Sequence, residues 1–121
     1  MTKKPEEIIA AVDGQILVAP PSELNLVYGC ASDLMSDVLN LTHPRTLLIT
    51  GLVNVQSIRT AEMADLPAIL FVRGKVPPPE TLQLAQEVGI AVMVSPYRMF
   101  DCCGRLFQAG LRGLGKVKDV S

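Results

Sequence analysis

The chain has 121 residues, of which 49% are hydrophobic and 19% are charged. This length suffices for one domain with one core and is too short for two ordinary domains. The net charge of −1 and the scattered basic residues differ from the clustered basic face of nucleic-acid-binding proteins, so we predict no nucleic-acid partner. The high apolar content predicts apolar surface that a second copy covers, and therefore a homodimer.

No stretch reaches the roughly 18 consecutive apolar residues of a membrane span, and the start of the chain lacks the apolar run of a signal peptide. These features predict a cytoplasmic protein without a membrane partner. The three cysteines, Cys30, Cys102 and Cys103, have no metal-ligand spacing. We therefore interpret them as buried thiols and predict neither a metal nor a cofactor. A redox role for Cys30, near a predicted helix N-terminus, is the alternative.

The first two predicted strands follow a short helix. Pro5 with two glutamates predicts the helix start and Gly14 its end, and strands are predicted over Gln15–Ala19 and Leu26–Gly29. The short link between these two strands suggests that they are antiparallel neighbours.

From here strands and helices alternate. The further strands are predicted over Thr46–Thr50, Ala68–Val72 and Ile90–Val94. Four helices are predicted between or after these strands. Ser32 caps the first, which carries Leu34, Met35, Val38 and Leu39 on its apolar face, and Asn54 caps the second. The third begins at Pro77–Pro79 and ends at Gly89, and the fourth is capped by Ser95 and ends near Gly110.

Strands that are apolar throughout are usually buried on both faces, which favours a mainly parallel sheet covered by helices. We therefore predict a single three-layer α/β domain with about five strands over residues 1–111. Residues 112–121 are basic and glycine-bearing, and we predict a flexible tail there.

Ligands of open α/β sheets collect at the carboxyl ends of parallel strands, where helix N-termini present free N–H groups. Polar or glycine residues follow four of the predicted strands, and if these strands are neighbours, their four loops meet at one edge of the sheet. The predicted ligand-binding residues are Cys30, Ser32, Asp33, Thr50, Gly51, Asn54, Gln56, Arg73, Gly74, Lys75, Ser95 and Tyr97.

The turn Arg73-Gly74-Lys75 is the most informative of these. A glycine between two cations lets the backbone approach a phosphate or carboxylate, although a turn glycine between two solvated charges explains the same residues. Asp33 and Asp37 could form a carboxylate pair on a helix, but a solvated helix face accounts for them as well. His43 is interpreted as a loop residue, because the sequence places no nucleophile near it.

A phosphate-loop pattern near the end of the chain is not interpreted as the sign of a kinase. Residues 110–117 spell the phosphate-loop pattern with Val117 where serine or threonine should hold magnesium. That pattern needs a strand before it and a helix after it, whereas a helix precedes it here. No nucleophile–base pair can be named either, so an enzyme is the least favoured class.

Most of the chain, Leu26 to Leu111, resembles the DRTGG domain, especially its small stand-alone members. The resemblance lies in Gly29–Leu39, Leu48–Gly51, Ile69–Lys75 with Pro77 and Glu80, and Pro96-Tyr97 with Phe100 and 104–111. It implies an α/β fold like the N-terminal part of HPr kinase/phosphatase. It also implies kinship with regulatory segments attached to phosphotransacetylases and CBS-containing pyrophosphatases, where the domain looks regulatory or dimerising.

The residues that name the family are altered here. Gly51-Leu52-Val53 stands where glycine, acid and arginine are expected, and Val72-Arg73-Gly74 replaces Thr-Gly-Gly. The leading hypothesis is a non-catalytic regulatory domain that binds an anionic metabolite or nucleotide and dimerises. The alternative is an interaction subunit or adaptor of a larger system. The resemblance implies that this larger system could be linked to redox proteins or to a hydrogenase.

Overall fold

The computed structural model describes residues 2–41 and 43–116. Helices and strands follow one another in the order α1 (Pro5–Ala11), β1 (Gln15–Val18), β2 (Tyr28–Ala31), α2 (Met35–Val38), β3 (Thr46–Thr50), α3 (Val55–Met63), β4 (Ala68–Phe71), α4 (Pro79–Val88), β5 (Ala91–Val94) and α5 (Met99–Gln108). No helix within the described part of the chain is long and apolar enough to cross a membrane.

The five strands form one sheet in the order β1-β5-β4-β3-β2. The four strands from β2 to β5 are parallel, and β1 joins the edge antiparallel to β5. Each step from β2 to β5 moves to the next strand in the same direction, so right-handed crossovers place α2, α3 and α4 on one face. Helices α1 and α5 cover the other face.

Two apolar clusters result, one on each side of the sheet. Alternate residues of β3 separate them: Leu47 and Ile49 pack with α1 and α5, whereas Leu48 packs with α2, α3 and α4. All five residues of β3 are buried, as are the four of β4, which is the pattern expected of central strands. The predicted three-layer α/β architecture with a mainly parallel sheet is confirmed.

The expected pairing of the first two strands is wrong. β1 and β2 lie at opposite edges of the sheet, and the link between them is held by Leu26, which exchanges backbone hydrogen bonds of 2.7 and 2.8 Å with Lys3. The central strands are buried on both faces and need neighbours on both sides. The half-exposed β1 and β2 suit the two edges, and β2 also begins and ends two residues later than predicted.

Helix α2 is shorter than predicted, and Ser32 does not cap it. It is a single turn that begins at Met35, and Leu34 and Leu39, expected on its apolar face, are exposed. The Leu34 N–H donates to Ser32 Oγ over 3.0 Å, which closes a local turn before the helix. Asp33 therefore lies ahead of α2, and the predicted i, i+4 helical pair with Asp37 does not form.

Three of the predicted helix signals can be compared directly with the structure. The Asn54 side chain accepts the Ser57 N–H at 3.3 Å and caps α3 as predicted, and Gly89 ends α4 in the left-handed conformation. The Ser95 cap is wrong, because α5 is preceded by Arg98 and the Ser95 side chain is buried.

The first residue of the predicted tail belongs to the folded part. The Arg112 N–H donates to the Val27 carbonyl at 3.0 Å, and the Arg112 carbonyl accepts the Gly29 N–H at 2.8 Å. These two bonds cover part of the open edge of β2. Residues 117–121 lie outside the described residues, so the flexibility of the tail stays a prediction.

Candidate anion-binding site

The carboxyl ends of β2, β3, β4 and β5 lie side by side at one edge of the sheet, which we call the rim. It comprises residues 31–33, 50–56, 72–75 and 95–98, the segments that follow these strands. His43 precedes β3 and is therefore at the opposite edge, where its ring meets the Tyr28 ring edge-on at 5.1 Å. This position keeps His43 away from the rim.

Asp33 joins the ends of β2 and β3. Its Oδ1 accepts the Thr50 hydroxyl and the Gly51 N–H, each at 2.8 Å. The two hydrogen bonds, first that of Gly51 and then that of Thr50, lower the pKa of the Asp33 carboxyl, and the charges of Arg73 and Lys75 lower it further. The carboxylate is exposed, and its hydrogen bonds stabilise the turn between β3 and α3. This structural role differs from the acid–base role considered from the sequence.

Arg73 joins the ends of β3 and β4. A Cβ placed on Gly51 would lie 2.8 Å from Arg73 Nη2 and 3.2 Å from Nε, so the guanidinium rests directly against the Gly51 backbone. Gly51 thus has a structural role that its turn position alone did not reveal: the missing side chain leaves room for the arginine.

The turn Arg73-Gly74 is left-handed at both residues, with φ of 67° and 66°. Glycine adopts this region readily, whereas arginine there is uncommon and is held by its surroundings. The Arg73 N–H donates to the Tyr97 carbonyl at 2.7 Å, and the Gly74 N–H donates to the Ser95 carbonyl at 2.9 Å. The turn after β4 is therefore fixed to the loop after β5.

Ser95 anchors that loop from inside the fold. Its hydroxyl donates to the Val12 carbonyl at 2.7 Å and accepts the Tyr97 N–H at 3.1 Å. The side chain is 1% exposed, so its contribution to the rim is through its backbone carbonyl.

Tyr97 is held on the outside of the same loop. Its hydroxyl donates to Asp13 Oδ2 at 3.0 Å, and the Arg105 guanidinium carbon lies 4.0 Å from the centre of its ring. The hydrogen bond to Asp13 is the main cause that raises the Tyr97 pKa. Tyr97 thus supports the Arg73 turn through its carbonyl, while its side chain ties the loop to the end of α1.

A surface pocket of about 380 Å³ opens on the rim and is lined by Arg73, Lys75, Pro96 and Arg98. Three of its four lining residues are cations, and none is acidic. Among the described residues, none of these three side chains has a carboxylate within 4.0 Å as an ion-pair partner. Cations without such partners can bind a phosphate or carboxylate through charge-assisted hydrogen bonds.

Two lining residues of this pocket, Pro96 and Arg98, are absent from the predicted ligand-binding residues, and of the two only Arg98 carries a charge. It follows Ser95 and Tyr97 in the chain, but a cation at the start of a helix carries no sequence signal for a ligand, since the helix dipole favours acids there. Only the approach of the β4 and β5 loops shows that it lies with Arg73 and Lys75.

The other predicted residues lie outside this pocket. Asn54 and Gln56 are at the start of α3, where the Asn54 side chain is used by the cap. Cys30 is half-buried on β2, and burial followed by the charge of Asp37 raises its pKa. A raised pKa keeps the thiol protonated, which is the opposite of the reactive thiolate that the redox alternative needs.

The described residues hold no cluster of three or more histidine, cysteine or acidic side chains that could bind a metal ion. The pKa values of Cys102 and Cys103 are also raised, in both cases chiefly by burial. In the part of the chain that the structure describes, the rim therefore presents cations, backbone donors and one committed carboxylate.

Neither a protein-family model nor a curated protein sequence matches the chain. Among solved structures, the chain is similar to the CBS and DRTGG domains of the regulatory region of Clostridium perfringens pyrophosphatase, which was solved in complex with its activator, diadenosine tetraphosphate. The TM-score is 0.67 at 12% sequence identity, over 88% of this chain and 47% of that one.

At this identity the likeness shows the fold. It agrees with the DRTGG-like architecture that the sequence resemblance implied, and the similarity to the N-terminal part of HPr kinase stays a prediction. The chain spans about half the length of the structure it matches.

Proposed function

We propose that the protein is a non-catalytic regulatory domain that binds an anionic small molecule or nucleotide in the rim pocket. The observation that carries the proposal is the convergence of Arg73, Lys75 and Arg98 around one pocket with no acidic lining residue. The Arg73 turn is held in place by two backbone hydrogen bonds and by the Gly51 contact, so the cation is positioned before a ligand arrives.

The comparison supports this choice of class. The similar pyrophosphatase region is regulatory and is bound to a nucleotide activator, which is an anion. An enzyme remains the least favoured alternative, because the solved region that the chain is similar to is regulatory.

The test is the binding of inorganic tripolyphosphate, measured by calorimetry at low and high salt. We expect binding that weakens as salt screens the charges, and a loss of about a hundredfold or more in the Arg73→Ala plus Lys75→Ala variant. That factor corresponds to two charge-assisted hydrogen bonds at the lower end of their usual range.

The matched control removes the same two charges elsewhere. Lys4 and Arg59 are exposed and lie outside the pocket, in ion pairs with Glu23 and Glu62. The Lys4→Ala plus Arg59→Ala variant should bind tripolyphosphate as the unmodified protein does. Equal losses in both double variants, or no binding by the unmodified protein at low salt, would contradict the proposed anion site.

We also propose that the domain dimerises through the outer face of α5. Phe100 and Phe107 lie seven residues apart on this helix, on the same face, and are 87% and 60% exposed. Two exposed phenylalanines on one helix face form an apolar patch that a monomer does not explain.

Sedimentation of the Phe100→Ser plus Phe107→Ser variant tests this interface. We expect a dimer for the unmodified protein and a monomer for the variant, because each serine removes apolar surface that the contact would bury. Met63→Ser is the control, since Met63 is 75% exposed on the other face of the sheet. A monomeric unmodified protein would refute the homodimer and favour docking on a different protein.

A further inference from the structure

A second pocket of about 380 Å³ adjoins the rim pocket and has a different chemistry. Its apolar walls come from Leu17, Val76, Val94 and Pro96, and its polar groups include Asp13 and Gln15. The volume falls within the range of small-molecule sites. We call the rim pocket with its three cations the cationic pocket and this second one the mixed pocket.

The two pockets share a wall. Lys75 and Pro96 line both of them. A Cβ on Gly74 would lie 4.0 Å from the Pro96 Cα, so the turn after β4 passes close to this proline. The cationic pocket lies on the side of Arg73 and Arg98, and the mixed pocket lies on the side of β1. One molecule that extends past Lys75 and Pro96 can therefore occupy both.

The walls of the mixed pocket have apolar surface to cover. Val76 is 82% exposed and Leu17 is 38% exposed, although both residues line a concavity. An apolar or flat group placed between them would remove this surface from water. The mixed pocket thus accommodates an apolar or uncharged group, such as a planar ring, whereas a phosphate would meet the Asp13 carboxylate there.

Asp13 supplies the polar recognition. Its Oδ2 accepts the Tyr97 hydroxyl, and its Oδ1 has no hydrogen bond among the described residues. An unoccupied carboxylate oxygen at the edge of an apolar pocket is an acceptor for an N–H group. An exocyclic amine on a planar ring provides such a donor.

From these features we propose that the ligand is a nucleoside polyphosphate whose base carries an exocyclic amine. The phosphates bind Arg73, Lys75 and Arg98, and the base lies in the mixed pocket with its amine donating to Asp13. This inference rests on the proposed function and extends it, because it assigns a ligand class and a second subsite to the same binding region.

The experiment compares three probes without added metal: tripolyphosphate, ATP, and ITP, whose base lacks the amine. We expect ATP to bind the unmodified protein at least about tenfold more tightly than tripolyphosphate, since the base adds buried apolar area. ATP should also bind more tightly than ITP. Equal binding of ATP and tripolyphosphate would overturn the base subsite and leave the anion site intact. Failure of all three probes to bind would overturn both.

Two variants locate the subsite. Val76 lies in an exposed loop, so Val76→Ser should leave the fold intact. The affinity of this variant for ATP should fall by about threefold to tenfold, and its affinity for tripolyphosphate should stay unchanged. Asp13→Asn preserves an acceptor for Tyr97 and suits the left-handed φ of 51° at this position, and it should narrow the preference for ATP over ITP.

Leu39→Ser is the control, because Leu39 is exposed at the end of α2 and does not line either pocket. This variant should bind ATP and tripolyphosphate as the unmodified protein does. The inference is overturned if Val76→Ser weakens tripolyphosphate and ATP alike. An unchanged preference for ATP over ITP in Asp13→Asn would overturn the assignment of the amine to Asp13.

Discussion

Replacement of Phe71 by alanine is expected to destabilise the protein by about 3–5 kcal/mol, the usual cost of removing a buried aromatic side chain. Phe71 is fully buried at the end of β4, in the cluster beneath α3 and α4. It is registered between Thr50 on β3 and Val94 on β5, so the cavity would open against the central strand, at the edge of the sheet that carries the rim. Urea unfolding followed by circular dichroism measures the loss as a lower transition midpoint.

Phe71→Leu is the matched comparison. Leucine keeps most of the buried apolar volume, so we expect a markedly smaller loss than for alanine. A loss below about 0.5 kcal/mol for Phe71→Ala would contradict the buried position of this side chain, because that is the usual range of surface substitutions. Since Phe71 lies two residues before Arg73, the strand it anchors also carries the cationic turn of the rim.

Replacement of Gly14 by alanine is expected to cost about 1–3 kcal/mol or more, the range for forcing an additional group into a packed site. A Cβ on Gly14 would lie 2.4 Å from the Val94 backbone carbonyl oxygen. Backbone atoms cannot rotate away as a flexible side chain does, so β1 must shift relative to β5. Urea unfolding should show the loss directly.

The same substitution of glycine by alanine at Gly104 provides a control, because it is expected to change the stability in the opposite direction. It lies within α5, and a Cβ placed on it meets nothing within 4 Å. Gly104→Ala should therefore stabilise the protein by about 0.5–1 kcal/mol, the gain usual for alanine over glycine inside a helix. If Gly14→Ala leaves the stability unchanged or raises it, the steric account of Gly14 is wrong.

Parts of the candidate site could be predicted from the sequence, because they depend on local patterns. Strands that are apolar throughout predicted a buried parallel sheet, and such sheets bring their carboxyl ends to one edge. The Arg73-Gly74-Lys75 turn was identified on that basis, since glycine between two cations is a local signal. Asn54 was identified as a helix cap for the same kind of reason, and its side chain does accept the Ser57 N–H.

Other parts could not be predicted, because they depend on residues distant in the chain. Asp33 bonds Thr50 and Gly51 across 17 and 18 positions, and α2 begins at Met35 and not directly after Ser32. Ser95 bonds the Val12 carbonyl 83 positions away, which removes its side chain from the rim. Local propensity favoured a cap at both serines, and tertiary hydrogen bonds overrode it.

By itself the sequence determined the layer architecture, and it predicted the edge of the sheet at which the candidate ligand site lies. Hydrophobic periodicity and the proline and glycine signals depend on a few neighbouring residues, so they can be interpreted without knowing which distant segments pack against them. Only the tertiary structure decided that β1 pairs with β5, that Arg98 joins Arg73 and Lys75, and that a mixed pocket with Asp13 and Val76 adjoins them. These features follow from strand pairing and loop contacts between distant segments, which no local pattern encodes.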